Sequence, residues 1–253
     1  MINVGLLVNL MTGHLLADFL FQKDAWVKDK RDRKLHGCGM WLHTIVVLIM
    51  TIAAFGRFSC AYIVLAVLIT CAHVVIDYLK VAFTKNGPRA FAVDQILHVL
   101  VLLVMTCLVS KCGHWHQWGI IPEGKEVLYP VVICGYLFCI SPANFIIREI
   151  LKYCHVQERD NDNNEKATNN VKLSGMLIGS LERCLVLTFI LIGSFEAAGL
   201  TVAAKSLLRF KDDERLRTEY VLIGTLLSIL MAVICAVVIF KFGMNAAIIK
   251  MPK

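Results

Sequence analysis

Apolar residues fall in eight continuous runs, at 2–21, 40–55, 60–83, 91–109, 127–147, 173–192, 195–210 and 220–242, with polar segments between them. Most approach the roughly 20 residues that a helix needs to cross the hydrocarbon layer. The runs are continuous rather than alternating, which predicts helices and argues against a β-barrel. The seventh is shorter and suits a re-entrant segment. The predicted fold class is therefore all-α: a polytopic helical membrane protein with about seven to eight transmembrane helices. A charged loop is expected at 23–34, and an Asn- and Asp-rich stretch at 157–170 is the natural linker. The chain then divides into an N-terminal four-helix membrane domain (1–126), a connecting transmembrane helix (127–153), a polar cytoplasmic linker (154–172) and a C-terminal membrane module (173–253).

Composition supports this reading. A hydrophobic share of 58% and a mean hydropathy of +0.68 exceed what soluble domains carry. The ten cysteines sit mostly inside apolar runs without a C-x-x-C pair, as reduced core residues do. The net charge of +7 lies largely in the loops, so topology accounts for it and no nucleic-acid partner is expected.

Basic residues alternate from loop to loop. Lys23, Lys28, Lys30, Arg31, Arg33 and Lys34 follow the first run, and Lys80, Lys85 and Arg89 the third. Arg148, Lys152, Arg159, Lys166 and Lys172 follow the fifth, and Arg209, Lys211, Arg215 and Arg217 the seventh. The other loops hold only Arg57, Lys111 and Lys125. The positive-inside rule puts the first set in the cytoplasm and both termini outside, with Lys250 and Lys253 as a minor violation. The first run lacks a basic start and carries His14 and Asp18, so it does not read as a cleavable signal.

Candidate chemistry interrupts the apolar runs. His14 and Asp18, His73 and Asp77, and Asp94 and His98 are each four residues apart, so each pair shares a helix face. With His43 they lie toward span ends and starts that meet at one membrane surface, cytoplasmic in the orientation above. Ionisable groups inside apolar helices are costly and need partners. Two ligand types sharing a face suit a divalent ion such as zinc, manganese or iron, in one or two sites. Asp94 and His98, at the start of their helix, are expected nearest the water, as a water-activating base or outer ligand. The competing expectation is a hydrogen-bonded network that only locks helices together. Gln22 and Gln95 adjoin the cluster, and Lys80 is expected to pair with Asp77 or to snorkel to the interface.

Further along, Glu182 and Arg183 sit mid-run, Lys205 and Arg209 lie toward the cytoplasmic end of the seventh run, and Glu219 and Tyr220 open the eighth. Arg183 is expected to pair with Glu182 or Glu219, with an anionic head group as the alternative. Gly175 and Gly179 have the spacing of close helix contacts. Cys112, His114 and His116 in an outer loop read as part of an interfacial belt rather than a metal site.

Several of these segments occur together in order: H-L-L-A-D-F at 14–19 with Gln22, then His43, H-V-V-I-D-Y-L-K at 73–80 and D-Q-I-L-H at 94–98. The set resembles the bacterial integral membrane family called domain of unknown function 3307. The later I-G-S-L-E-R, A-A-K-S-L-L-R-F and E-Y-V-L-I-G-T-L-L-S resemble the C-terminal membrane module commonly attached to it. The resemblance implies an inner-membrane location and a helical fold, and it implies no activity. The chain is also loosely similar to small inner-membrane proteins, held to be metal-dependent hydrolases, that carry His and Asp within helices.

Three functions fit the sequence. One is a metal-dependent hydrolase acting from the cytoplasmic side on a lipid-linked or phosphorylated substrate. The second is a transporter or proton-coupled carrier using the His/Asp relay and the Arg, Lys and Glu residues. The third is a non-catalytic membrane module that recruits a cytoplasmic partner through its basic loops. The bilayer is the expected partner, with an anionic lipid as a candidate ligand. The oligomeric state is not legible.

Overall fold

A computed structural model describes residues 3–56, 59–84, 87–111, 127–153, 165–209 and 215–245. The described residues are helical with no strand, an all-α polytopic architecture. The elements are α1 (Val4–Leu15), a π-helical turn (Leu16–Leu20), α2 (Asp24–Arg33), a 3-10 turn (Lys34–His36), α3 (Cys38–Phe55), α4 (Cys60–Phe83) and α5 (Pro88–Lys111). They continue as α6 (Leu128–Ile140), α7 (Pro142–Tyr153), α8 (Glu165–Leu191), α9 (Phe195–Arg209) and α10 (Arg215–Asn245).

Among the described residues, five helical stretches are long and apolar enough to span a bilayer: Cys38–Phe55, Cys60–Phe83, Arg89–Lys111, Leu128–Lys152 and Leu222–Phe242. A sixth is counted if Val4–Leu20 and Asp24–His36 are taken as one span, bent by 84°. The bend corrects one expectation: the charged segment after the first run is a helix, not a loop. Its polar residues are helix formers with Asp24 in the first turn and Lys30, Arg31 and Arg33 in the last, a charge order that suits the helix dipole.

The helices expose apolar residues and turn their few polar groups inward, as spans facing lipid do. On α3 the buried positions are Gly39, Met40, His43, Val47, Thr51 and Phe55, while Trp41, Leu42, Ile45 and Ile49 are exposed. The buried stripe recurs at helical spacing and carries the polar groups.

The chain forms two compact units, Met1–Cys134 and Gly135–Lys253, divided within α6. In the first, α1 packs on α3 and α5, α3 on α4, and α4 on α5, closing a four-helix ring. Leu6, Leu10, Phe55, Tyr62, Ala66, Ile69, Leu102 and Val109 form its apolar core, with Phe55 and Tyr62 stacked at 5.0 Å. Asn3 caps α1 by accepting from the Leu6 N–H, and its own N–H donates to Ser110 Oγ on α5 at 2.9 Å. Gly13 lets α1 approach α3 closely, because a Cβ there would lie 3.0 Å from the Met50 carbonyl oxygen.

In the second unit α10 packs on α7 and α8, and α8 on α7 and α9. Pro142 cannot donate a backbone N–H and opens α7 just past the end of α6. The side chains of Arg209, Glu219 and Tyr220, the outer-loop residues Cys112, His114 and His116, and the side chains of the 157–170 linker lie outside the described residues.

Candidate metal centre

Six of the seven predicted ligands sit on four apolar helices: His14 on α1, His43 on α3, His73 and Asp77 on α4, and Asp94 and His98 on α5. Asp18 lies in the π turn that prolongs α1. The turn is wound with an i to i+5 hydrogen bond, from the Phe21 N–H to the Leu16 carbonyl at 2.9 Å. Because the four helices close a ring, their polar faces converge.

Four ligand atoms come together around the His43 and His73 rings. His43 Nε2 and His73 Nε2 are 3.0 Å apart. Asp18 Oδ1 lies 3.5 Å from each of them. Asp77 Oδ2 is 3.8 Å from His43 Nε2 and 3.9 Å from His73 Nε2. Nitrogen and oxygen ligands about 2.0–2.2 Å from a tetrahedral ion are separated by about 3.3–3.6 Å. The five separations scatter around that edge length. Two ring nitrogens at 3.0 Å also need a proton or a cation between them, and Asp18 Oδ1 is buried with no hydrogen-bond partner among the described residues.

His14, Asp94 and His98 flank this group. His14 Nδ1 is 3.7 Å from Asp18 Oδ1, its Nε2 lies 3.3 Å from Gln95 Oε1, and its ring stacks on that of His98 at 5.1 Å. The His98 ring is 4.1 Å from that of His73. His98 Nδ1 donates to the Asp94 carbonyl at 2.8 Å, which fixes the tautomer and leaves the buried Nε2 as a lone pair without a partner among the described residues. His14–Asp18–His73, His43–His73–Asp77 and Asp77–Asp94–His98 are each close enough to hold an ion. Asp94 and His98 are each only 3% exposed, so neither is the outermost member of the cluster as its place near the helix start suggested.

Lysines close the polar side. Lys80 Nζ meets Asp94 Oδ2 on the next helix at 2.6 Å; it neither pairs with Asp77 nor simply snorkels. The reason is geometric: three residues past Asp77 on α4, its long stem reaches α5, where Gln95 Nε2 also meets Asp94 at 3.2 Å. Sequence reasoning missed Lys30. Counted there as one of six basic loop residues, it is 4% exposed and its Nζ lies 2.5 Å from Asp77 Oδ2. Gln22, in the amide orientation that satisfies both its atoms, accepts from Lys30 Nζ at 2.8 Å and donates to the Asp18 carbonyl at 3.3 Å. The signal available was Gln22 beside the 14–19 motif; the signal lacking was the 84° bend that turns α2 back onto the bundle.

α2 is held there tightly. Asp29 Oδ2 accepts from the Gly39 N–H at 2.6 Å, a carboxylate at the N-terminus of α3. A Cβ on Gly39 would lie 2.7 Å from the Trp26 carbonyl oxygen and 2.9 Å from its Cα. On the opposite, apolar side of the cluster, a cavity of about 20 Å³ lies among Leu10, Val47, Ile69, Ile76, Val101, Leu102 and the rings of His14, His73 and His98. It has room for about one water molecule.

The second unit differs from expectation. Arg183 is 2% exposed and pairs with no carboxylate among the described residues. Its Nε donates to the Cys139 carbonyl at 2.8 Å, one terminal nitrogen to Ser228 Oγ at 3.0 Å, and the other to Asn144 Oδ1 at 2.5 Å and Ser180 Oγ at 3.2 Å. Ser180 Oγ and Asn144 Nδ2 both donate to the Ile140 carbonyl. The arginine thus clasps the carbonyl end of α6, whose partial negative charge faces the guanidinium where Glu182 was expected; the Glu219 side chain, the other expected partner, lies outside the described residues. Gly179 serves the arginine directly, since a Cβ there would lie 3.3 Å from Arg183 Nη1, whereas no atom of the described residues lies within 4 Å of one on Gly175. Glu182 instead forms an ion pair with Lys205.

No solved structure matches the chain. Residues 6–122, which carry all seven clustered residues, match the family described as protein of unknown function (DUF3307).

Proposed function

We propose that the first unit is an intramembrane divalent-metal site, and that the protein uses it as a metal-dependent hydrolase of a lipid-linked or phosphorylated substrate. The observation that carries the reading is the convergence of Asp18 Oδ1 and Asp77 Oδ2, each within 3.9 Å, on the paired His43 Nε2 and His73 Nε2, buried in an otherwise apolar bundle. We assign one ion to these four residues. Of the three candidate groups, Asp77–Asp94–His98 suits an ion least, because both its carboxylates already face a lysine ammonium. Zinc fits the donor set best; manganese or iron would add ligands from the same cluster.

A bound ion would lower the pKa of a water and polarise a carbonyl or phosphoryl oxygen. The chain's own residues do the rest. His98 Nε2, buried and unpaired, is the base that takes a proton. Asp94 fixes its ring through the backbone carbonyl and is itself held by Lys80 and Gln95. His14 steadies Asp18 from behind. On this reading the surface faces the cytoplasm of a bacterial inner membrane, which the alternation of basic segments supports, and the 173–253 segment is its attached membrane module.

Metal analysis of protein purified without chelator tests the proposal. One ion per chain is expected, lost in Asp18→Ala, His43→Ala and His73→Ala while the fold persists. Folded wild-type protein that takes up no divalent ion would leave only a hydrogen-bonded network. A carrier is the second reading, favoured by one feature: the interruption between α6 and α7 beside a buried arginine, as in discontinuous transporter helices. Proton flux in proteoliposomes that Arg183→Gln abolishes would favour it.

A further inference from the structure

We propose that Lys30 is a resident cation of the site. In the metal-free protein it holds the Asp77 carboxylate, and the incoming ion exchanges it out, so that helix α2 reports whether the site is filled. The inference rests on the metal reading above and adds how loading is controlled.

Four observations support it. First, Lys30 Nζ lies 2.5 Å from Asp77 Oδ2, the same oxygen that completes the four-ligand group. An ammonium and a divalent ion on one carboxylate oxygen repel each other across a short, poorly solvated distance. Second, the charges favour exchange. Of the three aspartates, Asp77 and Asp94 each face a lysine and Asp18 does not, which leaves one negative charge with neutral imidazoles; a divalent ion added without moving either lysine makes the buried cluster net positive. Third, Lys30 belongs to a polar helix that contributes no candidate ligand, so it can leave Asp77 without dismantling the four-helix ring. Fourth, Gln22 Oε1 lies 2.8 Å from the same ammonium in its satisfied orientation and offers it an alternative acceptor.

The opposite role is well defined. A lysine that only orients a ligand carboxylate strengthens metal binding, and removing such an outer partner weakens affinity by roughly 10–100-fold. Exchange predicts the reverse sign.

The experiment is zinc titration of the purified full-length protein, comparing wild type, Lys30→Met and Lys30→Arg. Methionine keeps the stem and removes the charge, and should tighten zinc binding by about tenfold or more; arginine keeps the charge and should stay near wild type. Zinc binding by Lys30→Met but not by wild type would also support exchange. Equal or weaker binding by Lys30→Met than by a zinc-binding wild type overturns the inference and leaves the metal site standing. Failure of both proteins to bind overturns both. Should Lys30→Met not fold, amine acetylation of the wild type decides: zinc should raise the labelling of Lys30 relative to exposed Lys28, and unchanged labelling overturns the exchange.

Discussion

The contact between α2 and α3 can be tested with a single methyl group. In Gly39→Ala the new Cβ would lie 2.7 Å from the Trp26 carbonyl oxygen, 2.9 Å from the Trp26 Cα and 3.1 Å from Asp29 Oδ2. Ordinary carbon–oxygen contacts are several tenths of an ångström longer, and two of the three neighbours are backbone. They cannot yield by a rotamer change, so α2 must move as a body. Overpacking of this kind costs about 1–3 kcal/mol. Alanine recovers at most about 0.5–1 kcal/mol of helix propensity, and less at the second residue of a helix. The net loss is then about 1–2 kcal/mol. At about 2–4 °C per kcal/mol for a chain of this size, the Tm should fall by about 2–8 °C. The assay is thermal unfolding in detergent, followed by tryptophan fluorescence, which Trp26 reports from the interface itself. Gly175→Ala supplies the control: its Cβ meets nothing within 4 Å among the described residues, so the same substitution should hold or raise the Tm. A Gly39→Ala protein that melts at or above wild type would refute the close docking of α2 and, with it, the burial of Lys30.

Other outcomes follow from the same contacts. Arg183→Leu should destabilise the second unit by about 2 kcal/mol or more, because the Cys139 carbonyl, Ser228 and Asn144 lose a donor together; an unchanged Tm would show that the clasp carries no stability. Asp94→Asn should retain the metal that Asp18→Ala loses, and metal analysis of the two variants separates flanking from ligating carboxylates. Removing bound metal with a chelator should abolish hydrolysis of a generic phosphoester by the purified protein, and zinc should restore it; activity that survives in verified metal-free protein would refute metal dependence. In a background without native cysteines, Lys28→Cys should resist an impermeant thiol reagent applied to intact cells, and efficient labelling would reverse the assigned orientation.

Much of the first unit was legible because two periodicities coincide. The apolar runs give the helices, and the i, i+4 spacing of His73 with Asp77 and of Asp94 with His98 turns each pair to one face. Closing four such faces into a ring requires no further information, so the cluster could be anticipated. Lys30 could not, because a lysine among six basic residues looks solvated until the chain is known to bend by 84° after Leu20. The Lys80–Asp94 pair was not foreseen, in place of a contact with Asp77 or snorkelling, because spacing ranks neighbours on one helix and is silent about the next. For Arg183 the rule that a buried charge needs a partner held, but a helix end can be such a partner, and Pro142 marks where one lies. The chemistry of the second unit otherwise depends on contacts that no spacing encodes.

The π turn at Leu16–Leu20 has a consequence for how this chain can vary. A wide turn is the footprint of one inserted residue in an α-helix. Deleting a single residue there would let the helix rewind regularly, swinging everything that follows by about 100° around its axis. Gln22 and α2 would then leave the bundle, although every side chain named above survived. Asp18 apart, substitution and deletion therefore pose unequal hazards over this turn: the number of its residues is constrained more than their identity. Among relatives, a gap in this stretch should mark a protein that has lost the site even where each histidine and aspartate is still present.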